Sequence, residues 1–446
     1  MEPVPDLKTL KRNAARGIAD AQYKLGVWYL RQHGPDTDND AARHALEAAA
    51  DQGFAPAMSA LAYMLLRAQG AAYDPDGAAD LFERAADAGF AEARYRLGEM
   101  CAIGSGREQN LEAAREQFRQ AAEAGHASAM CQYAYCLSEG LGGPGDPLQA
   151  THWYAQAAMA GEPRALCCIG WRYESGHTLE ADPVRALACY MRAAAAAYPG
   201  GAIAANRLAV TLDDASIARA QLQSDKTVDI EPARETGQGP RCGAPQVLSW
   251  RPRCVLFEDF LSQEECLHLI SVAKPFLRVA KVLNRSTGER VLDPARRARS
   301  ARMLDPLRDL VVWNVEQRLA QYAMLPPQNA EPITLLFYAK GDEYRPHLDY
   351  YDPRAPGSRI GLEQGGQRVA TFLVYLNEVE AGGETLFPDA GISVPPVAGC
   401  GLLFFNCAAD GQPDPSSLHA GAPVESGEKW LLSSWIRSGV YPLNQG

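Results

Sequence analysis

Small and apolar positions recur along the first half of the chain with a fixed period. Gly17, Gly53, Gly89, Gly125 and Gly161 stand 36 residues apart, and each comes shortly after an alanine pair, such as Ala49-Ala50 or Ala85-Ala86. A sixth, degenerate unit has Ala193-Ala194 with Ala197 in the glycine's place. Within one unit, Leu81, Phe82, Ala85 and Ala86 follow helical spacing and stop at Gly89, a residue that adopts the left-handed conformation ending a helix. Ala91, Ala93, Tyr95, Leu97 and Gly98 then open a second helix, whose small residues let two helices approach closely while Tyr and Leu fill the seam. A period in this range predicts a helical solenoid, here over residues 10–212.

The pattern changes after that. Residues 213–245 lose the repeat, and Ser224 to Gly243 is polar and rich in Gly and Pro, which reads as a linker. Val255 to Ser262 is a strand-like apolar run. Ser262-x-x-Glu265 is a capping box that opens an amphipathic helix over Cys266 to Leu277, and a second helix is predicted from Asp305 to Leu319. Beyond Glu331 the apolar runs shorten to strand length, at Ile333–Tyr338, Val369–Leu376, Gly401–Phe405 and Trp430–Ile436, with Gly, Pro and Asp between them. Such runs build a double-sheet jelly roll. The expected fold class is a multidomain α plus β chain. A solenoid over 1–212 and a linker over 213–245 precede a β domain with flanking helices over 246–446.

Composition narrows the function classes. A chain of 446 residues has room for two or three domains, and 47% apolar content is that of a globular protein. A formal net charge of −11 argues against a nucleic-acid or membrane-surface partner. Eleven cysteines include no Cys-x-x-Cys, so neither a zinc site nor a disulfide framework is indicated. The opening residues lack the apolar core of a signal peptide and no apolar run reaches 18 residues. Together these readings set the expectation of a cytoplasmic protein.

The candidate chemistry lies in the last two hundred residues, which contain only three histidines: His268, His347 and His419. His347-x-Asp349 at a strand end places both side chains on one face. Two imidazoles and one carboxylate with open coordination positions are what a non-haem Fe(II) oxygenase needs. The tripeptide alone is a weak signal, and its flanks make it specific. Tyr338-x-x-Gly341, Tyr344-x-x-His347-x-Asp349-Tyr350, Arg368-x-Ala370-Thr371, Gly382-Gly383-Glu384-Thr385-x-Phe387-Pro388, Phe404-x-Asn406, His419-Ala420-Gly421, Gly427-x-Lys429-Trp430 and Trp435-x-Arg437 follow in order. In order and spacing they resemble the prolyl 4-hydroxylases of the 2-oxoglutarate and Fe(II)-dependent oxygenases. The helical array resembles Sel1-like repeats, relatives of the tetratricopeptide family.

The resemblance implies a double-stranded β-helix (jelly-roll) oxygenase domain in which His347, Asp349 and His419 hold Fe(II). It implies that Lys429 neutralises the distal carboxylate of 2-oxoglutarate, with Tyr338 and Thr385 bonding the same group and Trp435 lining its pocket. The implied reaction consumes 2-oxoglutarate and O2, releases succinate and CO2, and hydroxylates C4 of a peptidyl proline, with L-ascorbate as reductant after uncoupled turnover. The array is expected to recruit a proline-containing protein or peptide substrate, or else to serve only for packing or dimerisation. Two other readings stay open: the same chemistry on another substrate, such as a free amino acid, and a non-catalytic repeat scaffold. Arg285, Arg290, Arg296, Arg297, Arg299, Arg302 and Arg308 crowd one stretch against few acids, which reads as an acidic-substrate clamp or as a solvated loop.

Overall fold

The structure, a computed structural model, describes residues 7–31, 38–224, 230–234, 243–284, 286–304, 308–408 and 410–442. Residues 1–6, part of the expected linker (225–229 and 235–242), Arg285, Asp305 and Leu307 lie outside the described residues. The chain forms two compact units. One runs to Ala165 and includes the short segment around residues 230–234. The other starts at Leu166, so that it contains the last helices of the array together with the β-rich region.

The first unit is built of helix pairs: Ala19–Arg31 with Asn39–Ala50, Ala55–Leu66 with Pro75–Asp87, Ala91–Ile103 with Leu111–Glu123, and Ala127–Glu139 with Pro147–Met159. The periodic glycines do what their spacing predicts. Gly53, Gly89 and Gly125 have φ of +80°, +84° and +87°, and a Cβ there would meet nothing within 4 Å. Conformation rather than crowding therefore selects glycine. The degenerate unit pays the steric cost openly, because Ala197 adopts φ 59°. A second periodic signal also emerges: Asp38, Asp74, Asn110 and Asp146 each accept a backbone N–H at the start of the second helix of a pair, worth about 1 kcal/mol each. Close approach has its own marker in Gly98, whose added Cβ would lie 2.8 Å from the Phe118 ring.

In the second unit, helix Pro199–Ala209 packs on helix Gln263–Ala273. Gly200 donates its N–H to Ser271 Oγ at 2.8 Å, and a Cβ at Gly200 would lie 2.8 Å from the Leu267 carbonyl. The buried Arg172 pairs with the partly buried Glu264. The capping box forms as read, with Ser262 and Glu265 bonding reciprocally. The second predicted helix begins later than expected, as Leu310–Ala323, because the Asp309 carboxylate caps it by accepting from Val311 and Val312. His268 bonds the other Asp309 oxygen at 2.6 Å, which makes it a structural histidine.

The β region is built on two facing antiparallel sheets, beside two further two-stranded pairs. The larger has the strand order Gln246–Trp250, Arg253–Phe257, Gly401–Phe405, Arg368–Tyr375, Lys429–Arg437, Thr334–Tyr338, Arg299–Arg302, Arg278–Val279. The smaller has the order Ile392–Val394, Thr385–Phe387, His419–Gly421, Tyr344–His347. Alternate residues of the large sheet serve two cores. Leu335, Phe372, Val374 and Leu432 face the helices, whereas Leu336, Tyr338, Leu373, Tyr375 and Leu431 face the smaller sheet with Phe387 and Phe404. Burial on both faces explains why these strands read as unbroken apolar runs. No helix among the described residues is long and apolar enough to cross a membrane, and all ten described cysteines are free thiols.

Candidate active site

The smaller sheet brings the two histidines together by register. Strand Tyr344–His347 pairs with His419–Gly421 so that His347 stands opposite His419. Asp349, two residues past the strand end, turns back between them. His347 Nε2 lies 3.7 Å from Asp349 Oδ1, and His419 Nε2 lies 3.6 Å from Asp349 Oδ2. These gaps are too long for good hydrogen bonds, and they suit three donor atoms sharing one ion, since all three lie within 4.8 Å of one another. This is the one group of metal-compatible side chains found among the described residues.

The surroundings prepare these groups for a cation. Each imidazole donates Nδ1–H to a carbonyl two residues back, His347 to Arg345 and His419 to Ser417, both at 2.9 Å. That bond fixes the tautomer and leaves Nε2 as the free lone pair. Burial, reinforced by the neighbouring His419, pulls His347 well below the ordinary imidazole range, which favours its neutral form. Burial alone would raise the Asp349 carboxyl, but His419 and His347 outweigh it and hold it below the usual carboxylate range. Thr371 Oγ1 donates to Asp349 Oδ2 at 2.8 Å and accepts from Asn406 Nδ2 at 2.9 Å. A neutral nitrogen, an ionised carboxylate and fixed orientations are the requirements of a divalent metal site, so these residues fit Fe(II).

Behind the triad lies a pocket of about 40 Å³ lined by Tyr338, Thr385, Lys429 and Trp435 together with His347, Asp349 and His419. The large sheet supplies most of this floor, with Lys429 directly opposite Tyr338. Lys429 is 3% exposed, and its ammonium donates to the Gly383 carbonyl at 2.6 Å. Burial, opposed only by the charge of Glu384, brings its pKa down from 10.5 to about 8. Thr385 Oγ1 accepts from the Tyr375 hydroxyl at 2.8 Å. Trp435 Nε1 is buried and has no hydrogen-bond partner. A desolvated ammonium and an unspent indole N–H beside a metal-compatible triad form a cradle for an anion.

In front of the triad opens a cavity of about 690 Å³. Tyr344, Tyr351, Trp435 and Arg368 line it. Arg368 is a residue to which the sequence reading gave no role. Its guanidinium stacks 4.2 Å from the Trp435 ring and is held by Glu331 through bonds of 2.6 and 2.9 Å. Glu331 also takes Arg437 Nε at 2.6 Å, and Arg437 is anchored in turn by the Gly361 and Gly366 carbonyls. Burial would raise the Glu331 carboxyl, but the two arginines hold it below its usual value. Thr371, Asn406 and Arg368 fell within the matched sequence pieces, whereas nothing local distinguished Glu331. Of the array's histidines, His126 bonds Glu92 at 2.7 Å and stacks on Tyr95, as expected of a packing residue.

Comparison with known proteins agrees with this geometry. The profile described as 2OG-Fe(II) oxygenase superfamily matches residues 333–437. The Sel1 repeat profile matches residues 19–54, 55–90, 91–126, 127–162 and 163–198. The chain is 38% identical over 217 residues to Probable prolyl 4-hydroxylase 3 of Arabidopsis thaliana, covering 44% of this chain and 74% of that one. It is 37% identical over 247 residues to Prolyl 4-hydroxylase 5 of the same plant, covering 50% and 83%. Among solved structures, the viral collagen prolyl hydroxylase of Paramecium Bursaria Chlorella virus-1, a 2OG complex, aligns at 26% identity and a TM-score of 0.32 over 41% of this chain and 94% of that one. The Escherichia coli protein c5321, with an SLR fold, aligns at 26% identity and a TM-score of 0.44 over 50% of this chain and 49% of that one. With five Sel1 repeats ahead of an oxygenase domain that shares over a third of its residues with these plant enzymes, the chain belongs to the prolyl 4-hydroxylase family of 2-oxoglutarate- and Fe(II)-dependent oxygenases.

Proposed function

We propose that the chain hydroxylates a proline within a peptide or protein bound in the outer cavity. Its family membership makes it a 2-oxoglutarate-dependent dioxygenase and implies Fe(II), 2-oxoglutarate and O2. The observation that carries the reading is the meeting of His347, Asp349 and His419 between an anion cradle at the back and an open cavity in front. In this reading His347, Asp349 and His419 hold the iron, while Lys429, Tyr338, Thr385 and Trp435 hold 2-oxoglutarate. Iron and co-substrate together supply the oxidising power for C–H hydroxylation. Thr371 and Asn406 keep the Asp349 carboxylate aimed. Gly383 and burial keep the Lys429 ammonium pointed into the pocket. Behind the triad, Tyr338, Thr385 and Lys429 are buried between the two sheets. In front, the aromatic wall of Tyr344, Tyr351 and Trp435 suits a pyrrolidine ring, and the Arg368 guanidinium offers donors to peptide carbonyls.

Residues 1–212 serve as the recruiting array in this proposal, 213–245 as the connection and 246–446 as the catalytic region, with a cytoplasmic setting and ascorbate as the rescuing reductant. The discriminating experiment begins with anaerobic addition of Fe(II) and 2-oxoglutarate to the full chain, where a metal-to-ligand absorption band is expected. Proline-containing peptides are then incubated aerobically, and gain of one oxygen is assigned by fragment mass spectrometry. Absence of the band would remove the oxygenase reading and leave the repeat scaffold. A band with oxygen inserted at a residue other than proline would keep the chemistry and replace the substrate.

A further inference from the structure

The inner pocket holds a second cation, Arg296, to which the metal geometry gives no task. Arg296 sits in the arginine-rich stretch, where its neighbours are clipped to the strand that carries His347. The Arg345 N–H donates to the Ala295 carbonyl at 2.9 Å, and the Arg297 N–H donates to the Glu343 carbonyl at 3.0 Å. This two-sided pairing sets the Arg296 guanidinium 4.9 Å from the Tyr344 ring, whose centroid is in turn 3.5 Å from that of His347. The guanidinium also lies within bonding reach of the Tyr338 hydroxyl. Among the described arginines of that stretch, Arg296 alone lines both the inner pocket and the outer cavity.

The balance of charge and donors in the pocket is uneven. Arg296 Nε is buried without a partner, as is Trp435 Nε1 across the pocket. Lys429 bonds the Gly383 carbonyl and has the Tyr338 and Tyr375 rings beside its ammonium, with no acid in hydrogen-bond reach among the described residues. Among the described residues Asp349 is the one acid lining the space, and in the proposed site a metal ion occupies it. 2-Oxoglutarate brings two negative charges, and Lys429 answers one of them. A guanidinium presents a planar fork of N–H donors that matches a carboxylate better than an ammonium does.

We infer that Arg296 donates to 2-oxoglutarate held in the inner pocket, as a second cation beside Lys429, and thereby ties the segment that walls the outer cavity to the co-substrate. The inference rests on the proposed oxygenase site and makes Arg296 a co-substrate-binding residue. It gives the arginine-rich stretch a reason to settle before the peptide arrives, because the same residue reaches both spaces.

The test uses the full chain loaded with Mn(II) in place of iron. 2-Oxoglutarate is titrated calorimetrically into wild type, Arg296→Ala and Arg296→Lys, and amide hydrogen exchange is followed over residues 286–299. Arg296→Ala is expected to weaken 2-oxoglutarate binding by about tenfold to a hundredfold, the loss of charge-assisted hydrogen bonds to a carboxylate. Arg296→Lys should recover part of that loss. 2-Oxoglutarate should slow exchange over 286–299 in wild type and leave it unchanged in Arg296→Ala. Equal or tighter binding by Arg296→Ala, or protection that persists in it, overturns the inference while leaving the oxygenase site intact. A wild-type protein that binds no 2-oxoglutarate overturns the underlying site reading and the inference with it.

Discussion

Replacing Lys429 with methionine should move stability and ligand response in opposite directions. The ammonium is buried, bonds one carbonyl, and is displaced by burial from 10.5 to about 8. That displacement corresponds to about 3 kcal/mol of destabilisation while the lysine is charged. Methionine removes this cost but strands the Gly383 carbonyl, which takes back about 1 kcal/mol. The free Lys429→Met protein is therefore expected to be more stable than wild type by about 2 kcal/mol at pH 7. The sign of the pH dependence follows from the depressed pKa. Below about 8 the folded wild type bears the full penalty. Between about 8 and 10.5 its lysine is neutral when folded and still protonated when unfolded, so wild type gains stability as pH rises. The variant has no such term, and its advantage should shrink across that window. Added 2-oxoglutarate should raise the melting temperature of wild type and leave the variant nearly unmoved, since about 1.5–3 kcal/mol of charged hydrogen bonding to the carboxylate is gone. Denaturant melts at pH 7 and 9.5, with and without 2-oxoglutarate, read all of this. A free variant less stable than wild type at pH 7, with its ligand-induced stabilisation undiminished, would refute the view that this lysine is an unpaired cation awaiting an anion.

Three further outcomes follow from the same structure. His347→Ala and Asp349→Ala should each abolish succinate formation while retaining a cooperative melt, since the side chains meet site residues, Tyr344, Arg345, Thr371 and His419, rather than the interior of the apolar core; full turnover in either variant would remove that residue from the metal set. Gly98→Ala should destabilise the first unit by roughly 1–3 kcal/mol through overpacking against Phe118, whereas a thermal melt matching wild type would show that the ring can yield. Removal of residues 1–165 should leave a cooperatively folding second unit, but removal of residues 1–212 should not. The longer deletion strips Arg172 from Glu264 and helix Pro199–Ala209 from the helix Gln263–Ala273; equal solubility and melting of the two truncations would contradict this.

Much of the architecture could be read from one dimension because its causes are local. A glycine every 36 residues marks a left-handed helix end, whatever lies across from it. The capping box at Ser262 acts within four residues, and the short unbroken apolar runs between turn residues are of strand length and prove to be strands buried on both faces. The helix starts at Leu310, later than its apolar pattern predicts, because the deciding interaction is a single cap at Asp309, which that pattern does not reveal. The motif around His347 and Asp349 was legible for the same local reason, together with its match to a family.

What tertiary structure alone decided is which distant groups share a space. His347 and His419 meet because two strands more than seventy residues apart pair in one register, and Lys429 faces Tyr338 through another such pairing. The hydrogen bonds that fix the histidine tautomers, the desolvation that weakens Lys429 as a base, and the Glu331 clamp on two arginines all depend on burial, which sequence spacing cannot express. Arg296 shows the difference most plainly. In the sequence it is one arginine among seven, and only the folding of its backbone onto the strand of a proposed iron ligand sets it apart from the rest.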